Sequence, residues 1–268
     1  MVSWTGHILP VVVTVAVWFF ATGLIAWLDG RERATFPRSL FVSGAIGIAG
    51  LVAILISAHT VSASAIYLSF AGALMVWSWH EVAFLTGAVS GPNRGPCPAD
   101  ARGLDRFAHA SATLLHHELA LALTAVLLLF LTWGAANQVG AMVFLLLFVL
   151  RLSAKMNIFV GVPNSSTELL PPHLDYLKTY FGPNRLTWLL PVSLIAILAL
   201  AGWIGSEALA SAPGSPAMIG ASLLFALTLL GALEHLFLAL PFRDGMLWGW
   251  ALRRRGPPST SDLTTRGS

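Results

Sequence analysis

The residues best equipped for chemistry in this chain lie inside long apolar runs: His80-Glu81, His116-His117-Glu118, Arg151 with Lys155 and Asn157, and Glu234-His235. Ionisable side chains in hydrocarbon are costly, so they face a bundle interior, a wet cavity or one another. Three kinds of chemistry fit them. Glu81, Glu118 and Glu234, neutralised by Arg151 and Lys155, would form a polar network that fixes helix packing, each interhelical bond contributing about 1 kcal/mol. Alternatively, His80, Glu81, His117, Glu118, Glu234 and His235 carry the donors of a transition-metal site, because facing helices build such centres from imidazole and carboxylate. Finally, a neutral histidine can ligate the magnesium of a bacteriochlorophyll-type pigment, while Arg151 and Lys155 hold a carboxylate or phosphate.

Spacing constrains the metal reading. The Glu-x-x-His pair that puts two ligands on one helical face is absent. Adjacent residues on a helix diverge by about 100°, and His116 and Glu118 by about 200°. His117 with one neighbour is therefore the contribution expected from its helix. Arg151 and Lys155, at i,i+4, share one face. His109 sits one heptad before His116. No phosphate loop, dinucleotide fingerprint, serine-hydrolase elbow or zinc-protease helix is present to assign a catalytic residue. Cys97, flanked by Pro96 and Pro98, is expected in a loop, and a single cysteine excludes an internal disulfide.

The elements that must position these groups follow from composition. Of 268 residues, 56% are hydrophobic and 10% charged, and mean hydropathy is +0.77. Soluble domains carry roughly 25% charged residues, so lipid must be the solvent for most of this chain. Backbone groups in hydrocarbon must be bonded internally, so long apolar runs read as helices. Seven runs qualify, at about 8–28, 39–56, 63–85, 107–133, 139–154, 186–204 and 217–240. The fold class is all-α, a polytopic membrane bundle. The N-terminal MVSWTGHILP lacks a basic n-region, so the first run is expected to remain as an anchor.

Charge placement orients the bundle. The net charge of +3 could suggest nucleic acid, but all the Lys and Arg residues fall in alternate connections or at the helix end beside them. They occupy 31–38, 94–106, 151–185 and the segment after 240; the intervening connections have none. The positive-inside rule then places the N-terminus outside and the C-terminus in the cytoplasm. All the buried polar groups then share the cytoplasmic half of the membrane. Trp4, Trp27, Trp133, Trp188 and Trp203 stand near run ends as interfacial anchors. Residues 1–252 form the transmembrane domain, and 253–268 a basic tail expected to be disordered.

Two cytoplasmic connections are long. Residues 87–105 are rich in Gly and Pro and should be irregular. The loop 156–184 offers Asn164, Glu168, His173, Asp175 and Tyr176 to a partner. Behind Pro171-Pro172, the residues Leu174, Leu177 and Phe181 predict a short amphipathic helix lying on the membrane face. In the second run, Gly44, Gly47 and Gly50 predict close helix packing.

Six stretches carry a family resemblance: HEVAFLTG from His80, GPNRGPCP from Gly91, HHELALAL from His116, RLSAKMNIFVGVPN from Arg151, LPPHLDYLKTYF from Leu170, and GALEHLFLALP from Gly231. Together they span roughly two thirds of the chain. On these stretches the chain resembles the PuhE-type family, photosynthetic complex assembly proteins of anoxygenic phototrophic bacteria. The resemblance implies a multi-pass protein of the bacterial inner (intracytoplasmic) membrane. Such a protein would support reaction-centre or light-harvesting assembly, or bacteriochlorophyll supply. Its partners would be membrane lipid and photosynthetic subunits or pigment-biosynthesis proteins. It supplies no active-site residue. The first reading is thus a non-enzymatic assembly factor, the second a metal-dependent membrane enzyme of pigment metabolism, and the third a transporter.

Overall fold

The computed structural model describes residues 2–165, 170–240 and 244–252. A π-helical turn, Trp4–Ile8, leads into α1 (Leu9–Asp29). Then follow α2 (Phe36–Ser57), α3 (Ala63–Leu85), α4 (Gly103–Leu131), α5 (Val139–Val160), α6 (Leu189–Ala210) and α7 (Pro216–Ala239). A four-residue helix, α8 (Gly249–Leu252), closes the described chain. The seven long helices are each long and apolar enough to cross a membrane, and no strand occurs among the described residues.

Local chemistry sets the helix ends. Ser62 and Ser215 accept hydrogen bonds from the amides of Ala65 (3.1 Å) and Met218 (3.2 Å), capping α3 and α7. Pro216 takes the first position of α7, where its missing N–H costs nothing. Gly161, at φ +130°, stops α5 in a conformation that other residues rarely adopt.

Two helices form the centre. In α3 and α7, 56% and 61% of the most apolar window is buried, against 28% or less in the others. Ile54, Phe70, Leu121, Phe144 and Leu223 meet in the main core around them. Phe41, Ile48, Leu123, Phe130 and Ile195 point outwards, which in water would make an untenable apolar surface. The expected glycine packing is present. A Cβ on Gly50 would lie 2.5 Å from the carbonyl oxygen of Gly72, and one on Gly72 2.6 Å from that of Gly50. Backbones of α2 and α3 therefore touch.

The bundle has two distinct ends. At one, Asn137 donates to the carbonyls of Ser57 and Ala65, both at 3.2 Å, tying the α4–α5 and α2–α3 connections together. At the other lie the connections 86–102 and 161–188, and every described Lys and Arg falls at or towards it. The segment following α7 returns along α1. Trp248 is buried, its indole N–H donating to the Phe19 carbonyl at 2.8 Å, and the Trp250 ring fills the space where Gly23 has no side chain.

Four expectations change. The sixth helix ends at Ala210, six residues past the expected boundary. The fifth helix continues six residues past the expected boundary, to Val160, bringing Asn157 inside it. The fourth begins at Gly103, because Arg106 is stabilised at its first turn by contacts described below. The stretch Pro172–Tyr180 is a 3₁₀ helix, not an amphipathic α-helix on the lipid surface. With three residues per turn, Leu174, Leu177 and Tyr180 share one face, and that face is buried against Phe84, Leu85 and Leu114. The expected tail, 253–268, lies outside the described residues.

Candidate functional site

Two cations one turn apart on α5 reach two different helices. Arg151 NH2 lies 3.5 Å from Glu81 Oε2 on α3, and Lys155 Nζ 2.5 Å from Glu118 Oε1 on α4. The i,i+4 spacing keeps both on one face, as expected. Glu234, on α7, takes a different partner: the Trp18 indole N–H on α1 donates to its Oε1 at 3.1 Å. Three carboxylates thus sit with two cations and one neutral donor.

The histidines are sorted away from the carboxylates by helix geometry. His80 Nε2 pairs with Thr124 Oγ1 at 3.1 Å, across the α3–α4 contact. His235 Nε2 meets Ser153 Oγ on α5 at 2.9 Å, and its Nδ1 meets the Gly231 carbonyl at 2.8 Å. A carbonyl only accepts, so Nδ1 is the donor, and in a neutral ring Nε2 accepts from Ser153. His117 is 1% exposed, its ring 4.6 Å from that of Phe84, and neither nitrogen has a hydrogen-bond partner. His116 turns outward. Asn157 donates to the Ser153 carbonyl (2.9 Å) and to Ser193 Oγ on α6 (3.0 Å).

This arrangement leaves the candidate metal donors apart. His80, Glu81, His117, Glu118, Glu234 and His235 do not converge, because neighbours on one helix diverge by about 100° and reach different partners. Among the described residues, no three His, Cys, Asp or Glu side chains are grouped to hold a metal ion.

What does converge is a cavity of about 410 Å³ between α1, α3, α4, α5 and α7. Val17, Ile25, Phe70, Trp77, Leu147, Leu227 and Phe237 give it mostly apolar walls. Trp18, Glu81, Arg151, Lys155 and Glu234 form its polar patch. Arg151 keeps 42% of its side chain accessible while Glu81 keeps 9%. Within the patch, Glu81 Oε1 and Arg151 Nε are buried without a hydrogen-bond partner. Such atoms leave hydrogen-bonding capacity open in a low-dielectric setting, where a matching polar group is held strongly. An apolar chamber with one charged wall is suited to an amphipathic molecule.

The connections at the basic end form the cavity's floor, with Leu177, Tyr180 and Phe181 lining it. Arg106 fixes that floor, donating to the Tyr180 carbonyl (2.6 Å) and the Phe159 carbonyl (3.4 Å) while its guanidinium lies 4.3 Å over the Phe159 ring. The Tyr180 hydroxyl donates to the Gly95 carbonyl (3.1 Å) and accepts from Asn93 (2.9 Å). Burial pushes this phenol's pKa above its ordinary value. Asn164 ties the loop to the end of α7 through the Phe237 carbonyl at 3.0 Å. His173 donates to the Leu85 carbonyl at 2.8 Å, and Asp175 pairs with Lys178 at 2.6 Å on the surface. The Tyr176 hydroxyl is buried without a hydrogen-bond partner. Glu168 lies outside the described residues. Cys97 is a loop residue, its amide donating to Thr179 Oγ1 at 2.8 Å.

Trp18, Thr124, Ser153, Ser193, Asn93 and Arg106 complete these contacts and were not anticipated. Only Arg106 carried a signal, a cation at the entrance to an apolar run. Trp18, in the middle of α1, looked like lipid-facing or core apolar bulk.

The family described as "Protein of unknown function (DUF3623)" matches residues 4–259. A Rhodobacter capsulatus protein described as "Uncharacterized 30.4 kDa protein in puhA 5'region" is 40% identical over 253 residues, covering 93% of this chain and 90% of the relative. No solved structure matches.

Proposed function

We propose that this chain, which belongs to the DUF3623 family, supports the assembly of bacterial photosynthetic pigment–protein complexes or the supply of their pigment. It would do so as a PuhE-type protein of the inner membrane. The observation that carries this reading is the cavity of about 410 Å³ whose apolar walls meet one charged patch, Arg151 with Glu81, Lys155 and Glu234. That division suits a pigment or pigment precursor, with its apolar part against Phe70, Trp77 and Leu227 and a carbonyl or carboxyl group on Arg151. The description of the Rhodobacter capsulatus relative, which sets it beside a photosynthesis gene, supports the same context.

In this reading the basic end faces the cytoplasm, the N-terminus lies outside, and the floor of the cavity meets pigment-binding subunits or biosynthetic proteins. The chain's own residues bind and orient; no bond is made or broken. A phototrophic host lacking the gene should assemble less pigment–protein complex, measured by membrane absorbance, and the wild-type gene should restore it. Separately, the chain purified from that host should carry tetrapyrrole absorbance, which Arg151→Leu should lose at equal protein yield. Normal pigment content in the deletion strain would refute the assembly role. Pigment-free wild-type protein would refute the cavity's part in it.

A further inference from the structure

A second cavity, of about 360 Å³, opens at the basic end, lined by none of the residues that line the apolar chamber. Three separate segments build it. Arg33 comes from the short turn ahead of α2, Ser90 and Arg94 from the connection after α3, and His173 and Tyr176 from the 3₁₀ helix. We propose that this pocket binds a phosphate-class oxyanion, because two arginines line it beside Ser90 and Tyr176, whose hydroxyls are buried without a partner.

Ser90 is 2% exposed and its hydroxyl has no hydrogen-bond partner. The Tyr176 hydroxyl is likewise buried without one. Neutral donors left unsatisfied beside a cavity mark a site built for an acceptor. Arg94 uses one nitrogen on the Gly87 carbonyl, at 3.3 Å, leaving the rest of its fork available. None of the described residues lining the pocket is acidic. The neighbouring carboxylate of Asp175 is held by Lys178. Forked guanidinium donors match the geometry of a tetrahedral oxyanion, which a single ammonium does not. Phe36 supplies an apolar edge, and the depth is that of the membrane surface, where Arg31 lies 4.7 Å over the Trp27 ring. The oxyanion's source is therefore either a lipid headgroup phosphate or a phosphorylated small molecule from the cytoplasm.

The test uses the full-length chain purified in a maltoside detergent. Radiolabelled inorganic phosphate is measured by equilibrium dialysis, and short-chain phosphatidylglycerol by native mass spectrometry. Wild type should bind at least one probe, and Arg33→Gln/Arg94→Gln should weaken it roughly tenfold or more, since charge-assisted bonds are lost. Arg185→Gln, exposed and outside the pocket, should stay within about twofold, because general surface charge contributes little once salt screens it. Binding of phosphatidylglycerol alone assigns a headgroup site, and binding of inorganic phosphate assigns a soluble anion. Binding of neither, or equal loss in Arg185→Gln, overturns the proposal. Should the double variant melt early, Ser90→Ala decides: binding undiminished in that variant also overturns it.

Discussion

Replacing Lys155 by methionine tests whether the charged pairs hold the bundle together. The side chains of Lys155 and Glu118 keep 18% and 22% of their surface, so the pair is mostly out of solvent. Glu118 Oε2 already lacks a hydrogen-bond partner, and Lys155→Met removes the cation from Oε1 as well. Breaking a buried pair from one side costs about 3–5 kcal/mol, because the remaining charge is stranded. With about a fifth of each side chain still accessible, the lower end is expected, near 3 kcal/mol, or roughly a hundredfold in the unfolding equilibrium. Adding Glu118→Gln removes the stranded charge. A neutral Met–Gln combination of similar volume should recover most of that loss, since a paired buried charge gains little over a well-packed neutral replacement. Unfolding in detergent of wild type, both single variants and the double variant gives the coupling directly. If the double variant loses the sum of the two single losses, Lys155 and Glu118 do not act as a pair, and the network argument fails for them.

The single substitution Glu118→Gln should reach the membrane at normal level yet lower bacteriochlorophyll or complex content in a phototrophic host; unchanged pigment returns Glu118 to a purely packing role. Gly50→Leu should cost 1–3 kcal/mol or more, because even a Cβ there meets the Gly72 carbonyl, whereas Gly202→Ala, with no atom within 4 Å of a new Cβ, should leave thermal melting nearly unchanged. Tyr180→Phe removes the bond to Gly95 and the acceptor for Asn93, should cost about 1–3 kcal/mol, and should speed proteolysis at the 86–102 connection. In a Cys97→Ser background, Ala212→Cys should react with an impermeant maleimide from the periplasm and Asp100→Cys should not; the opposite labelling would invert the bundle.

The helices were legible because nothing but a helix satisfies a backbone across twenty apolar residues. The common depth of the polar residues was legible for the same reason, since position along a span is position across the membrane. Partner choice was not. Residues His80 and Glu81 share a depth but diverge by about 100°, and α3 is apolar around most of its circumference, so no polar face marked its rotation. Only packing decides that Glu81 meets Arg151 while His80 meets Thr124. Trp18 reads as lipid-facing or core bulk until α7 places Glu234 against it. The 3₁₀ helix was half visible: the Leu174–Leu177 spacing fits either helix type, and the buried Tyr180 three residues further distinguishes them.

The return of the chain's end onto its beginning has a consequence for biogenesis. Trp248 lines the apolar chamber and covers α1, and Glu234 on α7 bonds to Trp18 on α1. The first spanning helix is thus joined by residues 216 and 229 positions further along the chain. Until they arrive, α1 has only part of its final contacts, and the chamber stands open along one side to lipid. Contacts between sequence-distant segments form late because closing so long a loop carries the larger entropic cost. Closure of the chamber therefore waits on contacts between segments far apart in the chain. A membrane-dissolved molecule has its widest access to the charged patch when α7 and Trp248 are not yet in place.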